Sequence, residues 1–152
     1  VPNVRTFFKY WLPPLAWIAV IFTASSDAKS SEHSSHMLAL LLRWLTLQIS
    51  DEAMPIIAFI ARKCAHMTEY AVLALLLWRA LRKPMKNDPR PWNWREVSVV
   101  LFIVLLYAAS DEIHQIFVPT RTGQVTDVVI DTVGAVVALL ALWIIGLWRR
   151  RW

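Results

Sequence analysis

Four long apolar runs divide the chain: Phe7–Ala24, Ile56–Leu81, Val97–Val118 and Val128–Trp148. Each is close to or above the roughly 20 residues that cross the hydrocarbon of a bilayer. Lipid offers no partner to a free backbone N–H or C=O, so each run predicts a helix. The first is the weakest, since Lys9 and Pro13-Pro14 interrupt it. Its basic start and the small residues Ala24-Ser25-Ser26 also fit a secretory signal, and Val1 in place of Met points to a processed or incomplete start; a retained helix is expected. Between Ser35 and Ile49 the stretch HMLALLLRWLTLQI is apolar but too short and too interrupted to span, which predicts a helix lying in the outer interface or serving as a lid. The expected fold is all-α and membrane-integral, with four transmembrane helices and a short interfacial helix on the outer side, in a single domain over residues 1–152.

A hydrophobic content of 57% and nine Trp exclude disorder, and a single Cys64 excludes a disulfide scaffold. The net charge of +5 raises the question of nucleic acid, and the positions of the basic residues answer it. Arg5 and Lys9 precede the first run; Arg79, Arg82, Lys83, Lys86, Arg90 and Arg95 surround the second connection; Arg149, Arg150 and Arg151 close the chain. Topology accounts for this distribution without a nucleic-acid partner: it places both termini and the Lys83 connection in the cytoplasm of an inner-membrane protein. Most Trp residues fall near the expected interfaces, where an amphipathic indole anchors a helix.

Polar residues interrupt hydrocarbon where they are costly, about 2.5–3.5 kcal/mol for a charge at a helix centre. Arg62, His66 and Glu69 share one helix face, as do Lys63, His66 and Tyr70. Asp111 aligns with His114 and Gln115, and Asp127 with Asp131 and Gly134. At about 1.5 Å per helical residue, His66, Asp111 and Asp131 reach one level in the outward half of the bilayer. The opposite ends of these helices are expected to carry no such groups. One shared cavity is predicted there, with Arg121 closing over it and Gly134, Ala135 and Ala138 leaving room for a near neighbour.

The segments Arg62-Lys63-Cys64-Ala65-His66-Met67-Thr68-Glu69-Tyr70, Asp111-Glu112-Ile113-His114-Gln115 and Arg121-Thr122-Gly123, followed by Asp127, Asp131 and Gly134, resemble the VanZ-like family. They carry RKxxHxxEY, DExHQ and RxGxxxDxxxDxxG motifs in that order, and Ser25-Ser26 after the first run also fits. The resemblance covers essentially the whole chain. It implies a small bacterial four-helix membrane protein of a family named after an accessory member linked to teicoplanin resistance, and no settled biochemical mechanism.

Three chemistries suit these residues. In an enzyme, His66 or His114 acts as general base, Glu69, Asp111 or Glu112 tunes it, and Lys63 or Arg121 stabilises a developing anion on a lipid-linked cell-wall precursor or phospholipid headgroup. No nucleophile stands out, since neither GxSxG nor a serine-histidine pair is visible. Metal binding lacks a specific ligand spacing, so no metal is assigned and no cofactor is named. In a binding module, Arg62, Lys63, Gln115, Arg121, Asp127 and Asp131 hold a headgroup. Three cations, Arg62, Lys63 and Arg121, stand against five carboxylates, which disfavours a purely anion-capturing pocket and leaves room for a cationic or zwitterionic ligand. Recognition of an envelope amphiphile or glycopeptide-related ligand is the preferred reading, with membrane lipids as partners and no nucleic acid.

Overall fold

The computed structural model describes residues 4–26, 40, 50, 52–84, 88, 90–119 and 121–150. Among them four helices follow in order: α1 (Val4–Ser26), α2 (Met54–Arg82), α3 (Trp94–Ile116) and α4 (Val125–Trp148), with no strand. They coincide with the four apolar runs, their ends shifted by a few residues. α1, α3 and α4 are long and apolar enough to cross a membrane; α2 is as long, but its polar residues keep it from being counted with them. The interfacial helix expected between Ser35 and Ile49 lies outside the described residues, Leu40 excepted.

α2 is the central element. It packs against α1, α3 and α4, while α3 also packs against α4 and α1. That position explains why it is less apolar than its neighbours: it is shielded by them over much of its surface, whereas they present Phe8, Phe102, Val137 and Ile144 outward. The core joins Tyr70, Leu73 and Leu77 of α2 to Val100 and Val104 of α3, Leu139 of α4 and Ile21 of α1. In lipid such contacts hold helices by close fit more than by exclusion of water. Gly134 supplies the closest fit: a Cβ there would lie 2.9 Å from Met67 Cα, so α2 and α4 touch backbone to backbone.

α1 continues through Pro13 and Pro14. Proline has no N–H, so Pro13 leaves the carbonyl four residues back, that of Lys9, without its helical partner. Arg79 of α2 fills the vacancy, its guanidinium donating to the Lys9 carbonyl at 3.2 Å. The same guanidinium stands 5.1 Å from the Tyr10 ring centre. A break in one helix is thereby repaired by a cation of another.

α2 ends where Lys83 turns left-handed, φ 47°, and donates its N–H to the Arg79 carbonyl, with Pro84 next. Asn93 then caps α3, its side chain accepting the Arg95 N–H at 3.0 Å. Between these two stops the chain folds back over the end of α2 and buries Arg82, which retains 2% of its surface. Its guanidinium donates to the carbonyls of Pro91 and Arg90 and lies 3.4 Å from both Asp88 and Glu96. It also faces the Trp78 ring at 5.6 Å. Arg90 returns a bond to the Arg82 carbonyl at 2.6 Å and grips Asp88 at 2.7 Å. The expectation that buried polar groups are confined to the opposite end of the bundle is therefore corrected. Arg82 belongs by sequence to a run of solvated cations; the returning connection supplies the carboxylates and carbonyls that let it be buried.

Candidate functional site

At the other end of the bundle, the last turn of α1, the first half of α2, the last turns of α3 and the start of α4 lie together. Ser25 Oγ donates to Asp111 Oδ2 at 2.8 Å, joining α1 to α3. Gln115, one turn on from Asp111, donates to the same oxygen at 3.0 Å and to Glu112 Oε1 at 3.4 Å. The other Glu112 oxygen accepts the Gln124 backbone N–H at 2.8 Å, placing a carboxylate at the N-terminus of α4, where a negative charge is favoured. Gly123 makes that approach feasible, because a Cβ there would strike Ile116 Cγ1 at 2.8 Å and the Glu112 backbone. The motif glycine thus serves a close chain crossing.

α2 and α4 meet through two pairs one turn apart. Lys63 pairs with Asp127. His66 Nδ1 faces Asp131 Oδ1 at 3.8 Å and Glu69 Oε2 at 3.9 Å, distances too long for hydrogen bonds. Asp131 is fully buried, and among the described residues neither of its oxygens has a hydrogen-bond partner. His66 Nδ1, the Tyr70 hydroxyl and Asp111 Oδ1 are in the same condition. Buried polar groups are nearly always bonded, at a cost of about 1–3 kcal/mol when they are not. Three helices thus bring such groups together at one end of the bundle.

His114 lies at the edge. Its ring is 4.8 Å from that of Phe22, and its Nε2 is 3.1 Å from Ser26 Oγ. This serine-histidine pair is absent from the sequence pattern because 88 residues separate its members. Ser26 Oγ also lies 2.7 Å from the Phe22 carbonyl, to which it donates its one hydrogen. His114 Nε2 is then the donor in the pair, a tautomer assigned from hydrogen-bond bookkeeping. Arg121 reaches across to the Ala24 carbonyl at 3.2 Å, tying the α3–α4 connection to the end of α1. Trp17 Nε1 donates to the Glu69 carbonyl at 2.9 Å, and the Tyr107 hydroxyl to that of Ile18 at 2.9 Å.

Of the candidate residues, Lys63, His66, Glu69, Asp111, Glu112, His114, Gln115, Arg121, Asp127 and Asp131 all stand at this end. Arg62 is exposed, and among the described residues its guanidinium pairs with none of these groups. Ser25 and the Gln124 N–H join the site without a role assigned from sequence; the signal for Ser25 was its place directly after the first apolar run. Cys64 is exposed. Among the described residues no group of three or more His, Cys, Asp or Glu is arranged to hold a metal ion. At the Arg82 end, outside the helices, the hydrogen bonds from Arg90 hold the Asp88 carboxyl below the usual range, and Asp88 in turn raises Arg90.

The sequence profile of a family described as VanZ/LLP1 matches residues 10–146. No curated protein and no solved structure matches the chain.

Proposed function

The chain belongs to the VanZ/LLP1 family, and from that premise we propose that it recognises an envelope amphiphile, without chemical conversion, at the outer face of the cytoplasmic membrane. In this reading α2 is a fourth crossing. Its 29 residues extend about 43 Å at 1.5 Å per residue, more than the roughly 30 Å of hydrocarbon. Both termini and the Arg82 end are cytoplasmic, as the basic residues there require, and the Asp131 end opens outward. The observation that carries the reading is the convergence of polar groups from all four helices at one end of a bundle whose outer surface is apolar. Such a place suits a ligand with its headgroup among the polar side chains and its tail in lipid. In a teicoplanin-type accessory role, that ligand is a lipid-linked cell-wall precursor or the glycopeptide itself.

The enzymatic alternative, modification of a lipid headgroup, draws on the pairing of Ser26 with His114. The resting arrangement does not favour it: with the Ser26 hydrogen on the Phe22 carbonyl, the imidazole serves as a base toward that hydroxyl only after the hydroxyl turns and the ring takes its other tautomer.

The test is mass spectrometry of lipid carried through purification in mild detergent. Wild type is expected to retain a defined amphiphile that His66→Ala, still monodisperse and helical, releases. Indiscriminate retention by both proteins would refute recognition, and a released headgroup would turn the reading toward catalysis. Reporters after Trp152 and near Asn87 are expected on the cytoplasmic side; an external signal from either reverses the orientation.

A further inference from the structure

We propose that the floor of this site is a subsite for a primary ammonium group, received by Asp131 of α4 and Asp111 of α3 beside His66 and Tyr70. The inference rests on the recognition reading above and names the chemistry of the headgroup.

Three observations lead to it. First, the unmet valences at this end are mainly acceptors: among the described residues, Asp111 Oδ1 and both oxygens of Asp131 have no donor. The residues that bear them are 3% and 0% exposed, so bulk water does not relieve them. The Tyr70 hydroxyl is also buried and, among the described residues, has no hydrogen-bond partner. Second, nearby cations are engaged elsewhere. Lys63 is on Asp127, and Arg121 reaches the Ala24 carbonyl at the rim. Beside an arriving cation, which favours their ionised form, the five carboxylates Glu69, Asp111, Glu112, Asp127 and Asp131 exceed the positive charge that Lys63 and Arg121 bring. A phosphate or carboxylate seated on the floor would add repulsion. A neutral hydroxyl would satisfy bonds but leave the charge. An ammonium supplies one positive charge and three N–H donors for the three orphaned oxygens, and bonds to ionised acceptors are the stronger kind. Third, exposure falls from rim to floor. The Glu69 side chain keeps 31% of its surface, Lys63 19% and His66 13%, while Asp131 keeps none. A group entering past Glu69 and His66 meets Asp131 last.

Native mass spectrometry of the purified full chain in detergent tests this. The probes are dioleoylphosphatidylethanolamine, its N-acetyl derivative, dioleoylphosphatidylglycerol and tail-free phosphoethanolamine. The ethanolamine lipid is expected to bind at least tenfold more tightly than its N-acetyl form, which keeps the tails and phosphate but loses the cation. Asp131→Asn should shrink that ratio below twofold, while Cys64→Ser leaves it unchanged. Equal binding of the three lipids above the detergent background overturns the ammonium subsite; recognition of an amphiphile stands if His66→Ala abolishes that binding and falls with the subsite if it does not. Binding of none of them overturns both. A ratio that survives Asp131→Asn also overturns the assignment. Competition by phosphoethanolamine as potent as that of the lipid supports the subsite but moves the ligand to soluble amines. Should Asp131→Asn fail to fold, the acetylation ratio measured on wild type still decides, and Asp111→Asn repeats the variant arm.

Discussion

Two polar clusters occupy opposite ends of the same four helices, and they differ in what surrounds the most deeply buried charged group of each. At the Arg82 end a buried cation is answered by two carboxylates, two carbonyls and an aromatic face. At the Asp131 end a buried carboxylate has no hydrogen-bond partner among the described residues, and an imidazole nitrogen and a tyrosine hydroxyl share that condition. A buried ion that the fold itself surrounds with opposite charge holds structure, and a buried carboxylate that it leaves unbonded is a candidate place for a ligand. By that criterion the Arg82 cluster is a clasp, and the Asp131 cluster fits the recognition role proposed above.

Substitutions break or sharpen this contrast. Arg82→Ala should have the largest effect, since it strands buried carbonyls and the carboxylates of Asp88 and Glu96. The expected loss is about 3–5 kcal/mol, read as a lowered thermal midpoint in detergent; a loss under about 1 kcal/mol would show that the clasp is solvated. Gly134→Ala follows at about 1–3 kcal/mol, because its methyl meets Met67 backbone that has nowhere to yield. Chemical denaturation measures it, and an unchanged midpoint would mean that α2 and α4 are not in close contact. Asp131→Asn should reverse the sign. It removes a buried, unanswered carboxylate in the empty protein, so stability is expected to hold or to rise by about 1 kcal/mol in ligand-free detergent. A large loss would place Asp131 with the clasp. The smallest effect concerns Asp88. Its folded carboxyl titrates below its unfolded value of about 3.9, so its contribution is present above that pH and fades as pH falls below it. The melting midpoint of wild type should therefore fall toward that of Asp88→Asn on acidification, and parallel curves would contradict the contact with Arg90.

Much of this was legible in the order of residues. The apolar runs located all four helices, and the spacing of Lys63, His66 and Glu69, of Asp111 and Gln115, and of Asp127 and Asp131 put each set on one face. Convergence followed because alternate directions bring those faces to the same end. What spacing does not carry is contact between distant segments. Ser25 meets Asp111 across 86 residues, and no periodicity announces it. The burial of Arg82 was equally hidden, because a cation next to Lys83 and Pro84 reads as solvated until the contacts from Asp88, Arg90 and Pro91 are known. Gly134 shows an intermediate case: small size suggested a close neighbour, but only the fold names Met67 as that neighbour.

The repair of the Pro13 break couples two helices. An arginine from the following helix serves the Lys9 carbonyl, so α1 by itself keeps a main-chain oxygen that its own turns do not satisfy. Sliding α2 along α1 would withdraw that donor, which fixes the register of the pair.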